Sequence, residues 1–130
     1  MRCLDTDLLI SILRGKEEAR KTVAELDEEA KGATTSINAF EIFFGANKSE
    51  RKNENVREAA KLFERLMVLP LDLSSSQRAA QISATLAVSG EAIDYRDAMI
   101  AAITMENNLT LVTRNKAHFK RVKGLKIEEW

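Results

Sequence analysis

The chain has 130 residues, 45% hydrophobic and 31% charged, the composition of a soluble globular protein with one domain over residues 1–130. Twenty basic and twenty acidic side chains cancel, which excludes a global attraction to polyanions and leaves any nucleic-acid contact to local clusters of charge. A single cysteine, Cys3, excludes a disulfide framework or a Cys/His zinc set within the chain. No stretch approaches the roughly 18 uncharged apolar residues of a membrane span, and Asp5 and Asp7 would interrupt any signal-peptide core, so the expected location is the cytoplasm.

Met1 to Leu4 reads as a short buried strand, and Leu8 to Leu13 as a helix that Gly15 can end. From Lys16 to Lys31, Ala19, Val23, Leu26 and Ala30 recur at helical spacing among charges, which predicts an amphipathic helix. Ala33 to Ile37 is β-prone. Asn38 then offers an N-cap for a helix carrying Phe40, Phe43 and Phe44, an expected core cluster of which part could instead serve a contact with another chain. The polar run NKSERKNEN, residues 47–55, reads as a helix–helix connection, followed by a helix over Val56–Leu66. MVLPLDL, residues 67–73, is a strand candidate whose Pro70 is tolerable only near an edge or a strand end. Ser74 with Gln77 suggests a capping box for a helix running to Val88. After Gly90, Asp94 opens a further helix, LTLVT at 109–113 is a buried strand, and Leu125–Ile127 a short last one.

Strands that alternate with helices and are apolar without a two-residue period predict an α/β protein. Its form is a three-layer α/β/α domain around a central parallel sheet of about five strands. Function in such a fold lies beyond the carboxyl ends of the strands, where strand order reverses.

Four segments are expected to bring polar groups to that edge. Asp5 and Asp7 follow the first strand, and Glu41 lies in the first turns of the helix leaving the second. Asp97 stands at the start of the helix that feeds LTLVT, and Thr113, Arg114 and Asn115 follow that strand. Each acid has a plainer role open to it. Asp5 or Asp7 could cap the first helix, Asp94 is an ordinary N-cap, and Asp97 would suit a positive helix end. Together, though, crowded carboxylates repel, and one takes up a proton unless a cation joins them. Without thiol or imidazole clusters that cation should be hard, Mg²⁺ or Mn²⁺. Such a site holds phosphate oxygens and activates a water for attack on phosphorus. The one histidine, His118, reads as a surface residue. Between Glu106 and Glu128 there is no acid, while Arg114, Lys116, Lys120 and Arg121 fall in that span beside the acidic edge, which fits a phosphate substrate.

LDTDLLI at 4–10, TSINAFEIFFG at 35–45, IDYRDAMIAAI at 93–103 and LTLVTRNKAHF at 109–119 together resemble, in order, the motifs of PIN domains. In size and spacing the chain is similar to the VapC-type toxins of toxin–antitoxin pairs. The resemblance implies that Asp5, Glu41 and Asp97 bind the metal, that Asn115 stands at a fourth catalytic position, and that Thr6 and Thr113 shape the site. Asp7 adds a charge close to it, and Asp94 supports it. The resemblance further implies a Mg²⁺- or Mn²⁺-dependent endoribonuclease, usually homodimeric, restrained by a cognate VapB-type antitoxin. Two other readings stay open: a non-cleaving PIN-like module that binds RNA or protein, and a haloacid-dehalogenase-type phosphatase with Asp5 as nucleophile.

Overall fold

The computed structural model describes the backbone of residues 1–29 and 32–130 and the side chains of residues 1–25 and 32–130. The expected roles of Leu26 and Ala30 therefore lie outside the described residues. Five strands alternate with helices: β1 (Arg2–Leu4), β2 (Gly32–Thr35), β3 (Met67–Leu69), β4 (Thr110–Val112) and β5 (Lys126–Glu128). Seven helices are described: α1 (Thr6–Leu13), α2 (Glu17–Glu29), α3 (Ser36–Lys48), α4 (Lys52–Glu64), α5 (Leu73–Val88), α6 (Tyr95–Glu106) and α7 (Lys116–Phe119). The sheet is parallel throughout, in the order β3-β2-β1-β4-β5.

That order explains the apolar strands. Alternate residues of a strand point to opposite faces, and both faces here are covered. Cys3 and Leu111 pack with Ile100, Ala101 and Phe119 on one side of the sheet. Leu4 and Val112 pack with Leu8, Leu9, Ile42 and Leu62 on the other. The central pair β1 and β4 meets in the register Leu4↔Val112. The chain moves outward from β1 through β2 to β3, then returns to place β4 on the far side of β1, so strand order reverses between β1 and β4. β3 is an edge strand, and it ends at Leu69, immediately before Pro70, whose missing N–H could not extend the ladder.

Several boundaries differ from the sequence reading, each for a local reason. α1 begins at Thr6 rather than Leu8, with Asp5 in the N-cap position at φ −77° and ψ 164°. The cap of α3 is Thr35, not Asn38. The Thr35 hydroxyl accepts from the Asn38 N–H at 3.1 Å, and Asn38 Oδ1 accepts from the Thr35 N–H at 3.3 Å, a reciprocal capping box. α5 is capped by Asp72 with Ser75, both bonds 2.9 Å, instead of by Ser74 with Gln77. Lys, Glu and Asn tolerate solvated helix faces, so α3 and α4 extend into the polar run and leave a connection of only residues 49–51.

The phenylalanine cluster is not core as a whole. Phe43 turns inward against Phe63, ring centroids 5.3 Å apart, but Phe40 is 61% exposed and Phe44 49% exposed. Residues 40 and 44 share one helix face, which points to solvent, whereas Ile42 and Ala46 supply the buried face.

Candidate active site

The reversal of strand order opens a cleft at the carboxyl ends of β1 and β4, and Asp5 and Thr113 are the first residues past those ends. Asp5 is 7% exposed and Thr113 fully buried. The Thr113 hydroxyl donates to Asp5 Oδ2 at 2.7 Å, and the Asp5 N–H donates to the Val112 carbonyl at 3.1 Å. Although Asp5 occupies the N-cap position of α1, its side chain makes no capping bond. Its oxygens turn to the cleft instead.

Asn38 explains why. Its Oδ1 is used by the capping box of α3, which leaves its amide N–H groups to donate to Asp5 Oδ1 at 3.1 Å and to Thr6 Oγ1 at 2.9 Å. Thr6 passes the chain onward, donating to Glu41 Oε1 at 2.8 Å. A continuous relay, Thr113–Asp5–Asn38–Thr6–Glu41, thus links β4, β1, α3 and α1. Asn38 is completely buried and holds two functional side chains at once. The sequence reading assigned it only to capping, and the signal available was an amide three residues after a capping threonine.

Asp97, in the first turn of α6, completes the cleft. Its Oδ2 lies 2.9 Å from His118 Nε2 on α7, with both side chains about one-quarter exposed. His118 is therefore a partner of an acidic site residue, not a free surface group. Arg96, adjacent in sequence, reaches Glu41 Oε2 with Nη1 at 3.6 Å and clasps Asp94 through Nε and Nη2 at 3.2 and 3.4 Å. Asp94 caps α6 by accepting from the Arg96 N–H at 2.8 Å, so its sequence-predicted cap is the structure it makes.

The electrostatics single out Asp5. Its pKa is pushed up from 3.8 to about 6, chiefly by burial, with Asp7 and Asp97 adding repulsion. The hydrogen bonds from Thr113 and the Thr6 N–H only partly oppose this. Burial also raises Asp97, which the His118 imidazole partly offsets. Asp97 has an imidazole beside it, whereas the hydrogen-bond donors to Asp5 among the described residues are neutral. A buried carboxylate of this kind is costly to ionise, and a nearby cation would offset that cost.

A hard divalent ion matches this donor chemistry. The cleft presents carboxylates and hydroxyls, and Cys3, fully buried with its thiol pushed by burial to about 12, offers no soft ligand. As the side chains stand, no three His, Cys, Asp or Glu residues among those described are close enough to hold one ion together. Glu41 and Asp97 face Arg96 and His118. Asp5, Glu41 and Asp97 are the carboxylates at this cleft that could serve as ligands of such an ion.

Asp7 does other work. Its Oδ1 accepts from the Trp130 indole N–H at 3.0 Å, and its Oδ2 accepts from the Arg114 N–H at 3.0 Å and lies 3.2 Å from the Thr113 hydroxyl oxygen. The Arg114 guanidinium lies 3.7 Å from the Trp130 ring centre and pairs with Glu18. Asp7 is thus a latch that ties Trp130 and the segment after β4 to α1. Trp130→Phe keeps the ring under Arg114 but removes the indole donor to a charged acceptor. Chemical denaturation should show a loss of about 1–2 kcal/mol; an unchanged midpoint would dismiss the latch.

The remaining candidates follow β4. Asn115 is exposed; its N–H donates to Thr113 Oγ1 at 3.0 Å, and its side chain bonds to no carboxylate among the described residues. Lys116 and Lys120 are exposed, and Arg121 donates to the Ala92 carbonyl at 3.2 Å. Arg114 is committed to Trp130 and Glu18. Beside Glu41 opens a groove of about 530 Å³ between α1, α3 and α4, walled in part by Ile10, Leu13 and Ile42. Gly45 lines it, and a Cβ there would enter open space, with nothing within 4 Å.

A parallel sheet in this order with acids at the reversal is the architecture of PIN domains, and the PIN domain model matches residues 2–125. The chain belongs to the PIN domain family. It is 31% identical over 127 residues, covering 98% of itself and 96% of the relative, to the tRNA(fMet)-specific endonuclease VapC of Shigella flexneri. It is 30% identical over 128 residues to Ribonuclease VapC2 of Haemophilus influenzae, with the same coverage. Among solved structures it is similar to VapBC of Salmonella typhimurium bound to DNA, with a TM-score of 0.90, 30% identity, and 99% and 97% of the two chains covered. VapBC2 of Rickettsia felis bound to a promoter DNA fragment gives 0.91 and 25%, covering 99% and 98%. No helix among the described residues is long and apolar enough to cross a membrane.

Proposed function

We propose that the chain is an endoribonuclease that hydrolyses RNA phosphodiester bonds with Mg²⁺ or Mn²⁺, and that it is the toxin of a VapBC-type pair. The observation that carries this reading is the buried carboxylate of Asp5. It is linked through Asn38 and Thr6 to Glu41, lies within electrostatic range of Asp97, and forms no ion pair among the described residues. The relatives that carry ribonuclease and tRNA endonuclease names support RNA as the substrate class.

A bound divalent ion would supply a lowered pKa for water and positive charge for phosphate oxygens. The chain's own residues do the rest. Thr113 and Asn38 fix both Asp5 oxygens, so this ligand needs no reorganisation. Thr6 restrains Glu41 from one side while leaving Oε2 to change partner. His118 holds Asp97 at the mouth of the cleft. Lys116 and Lys120, exposed in the segment after β4, would contact flanking phosphates, and Asn115 would meet the substrate from the same segment.

The 530 Å³ groove beside Glu41 supports restraint by an antitoxin segment, because it is apolar along Ile10, Leu13 and Ile42 and acidic at Glu41, Glu54 and Glu58. A segment with apolar and basic side chains would complement it. Exposed Phe40 and Phe44 are available for protein contact, including the homodimer usual in such toxins. One observation favours the non-cleaving module instead: the acids do not converge as placed.

Purified protein incubated with folded RNA decides between them. Cleavage in Mg²⁺ or Mn²⁺ that stops with chelator is the expected result, and RNA retention without cleavage in either metal would favour the binding module.

A further inference from the structure

Glu41 and Asp97 are each paired with a partner from the chain itself, Arg96 and His118. Arg96 carries a permanent charge and stands within reach of two acids, Asp94 and Glu41. It is anchored at three points to Asp94, by its backbone N–H at 2.8 Å and its guanidinium at 3.2 and 3.4 Å. From that anchor a single nitrogen, Nη1, reaches Glu41 Oε2 at 3.6 Å. The opposite oxygen of Glu41 is already fixed by the Thr6 hydroxyl at 2.8 Å. Glu41 is therefore hydrogen-bonded firmly on one side and ion-paired loosely on the other.

From this geometry we infer that Arg96 is a built-in counter-ion of the metal centre, a positioning residue that holds Glu41 away from Asp5 until a divalent ion displaces it. The inference rests on the metal-dependent reading above. Asp94 gives the displaced guanidinium a place to stay, since its contacts do not involve Glu41. Arg96 then remains at the rim as a cation above the carboxylates. Two effects follow for the ion. It must compete with Arg96 for Glu41, and it must bind beside a positive charge that does not leave.

Both effects weaken metal affinity, so removing the charge should strengthen it. Arg96 is more than half exposed and supports no core packing, so its variants should fold. Calorimetric titration of Mn²⁺ into the chelator-stripped protein gives the readout without any cleavage assay. Arg96→Gln should bind Mn²⁺ about three- to tenfold more tightly than the wild type, the scale of one lost surface ion pair and one removed nearby charge. Arg96→Lys, which keeps the charge, should stay close to wild type. The gap should narrow as ionic strength rises. If Arg96→Gln binds Mn²⁺ as the wild type does, or more weakly, Arg96 is not a competing counter-ion while the metal reading stands. If neither protein takes up Mn²⁺, the metal reading fails and this inference with it. Tight binding by Arg96→Gln alone would establish both.

Discussion

Asp97→Asn is expected to lower RNA cleavage by roughly 10²- to 10⁴-fold, the scale on which a charge at a reacting centre acts. Asparagine keeps the volume of aspartate and can still accept from His118, so the fold and the N-terminus of α6 should persist. Asp97 makes no side-chain cap that this change would break, because Asp94 caps the helix. The variant should therefore retain RNA while failing to cut it, measured by cleavage of folded RNA in Mg²⁺ or Mn²⁺ alongside a binding assay. Cleavage at the wild-type rate would remove Asp97 from the catalytic set.

Asp5→Asn should have two effects of opposite sign: cleavage is lost, and the metal-free protein becomes more stable. The direction follows from linkage. A carboxyl group raised from 3.8 to about 6 on folding binds its proton more tightly in the folded state. Its contribution is fully present below about pH 4 and lost as pH climbs through about 6. At neutral pH the ionised form is a liability of up to roughly 3 kcal/mol, at about 1.4 kcal/mol per pH unit. An asparagine carries no such penalty, and its amide can face Thr113 while its oxygen accepts from Asn38. The expected gain is about 1–3 kcal/mol at pH 7, shrinking towards zero or reversing near pH 4. The comparison must be between the two proteins, because Asp72 and Asp94, held low by their hydrogen bonds, pull the overall curve the other way in acid. A loss of stability at pH 7 would mean that the ionised carboxylate is needed for the fold, as in an ordinary cap.

These two residues also mark how far the sequence could be read. Asp5, Glu41 and Asp97 come from segments far apart in the chain, yet their shared edge was legible because parallel strands all finish on one side. Apolar runs of three to five residues are enough to recognise such strands. What binds the acids into one network was not legible. Asn38 spends one amide atom on a cap and the other on Asp5, and a cap signature in the sequence carries only the first fact. Arg96, His118 and Trp130 were equally opaque, since each acts on a residue from another element and no periodicity encodes that contact. Asp7 repels Asp5 from across the Thr113 hydroxyl, and only the return of β5 and Trp130 past α1 reveals that it also accepts from an indole. Phe40 and Phe44 failed as core residues for the reverse reason. Hydrophobicity marks a side chain for burial, but only the packing of α3 on α4 decides which face is covered.

The central claim is that Asp5, Glu41 and Asp97 grip one divalent ion after Glu41 and Asp97 turn from their present partners. Anomalous diffraction from crystals soaked in Mn²⁺ tests it most directly. The expected result is a single strong peak with an oxygen of each residue at about 2.2 Å, Glu41 released from Arg96, and no such peak in Asp5→Asn. A peak elsewhere on the surface, or no peak with Glu41 still paired to Arg96, would contradict it.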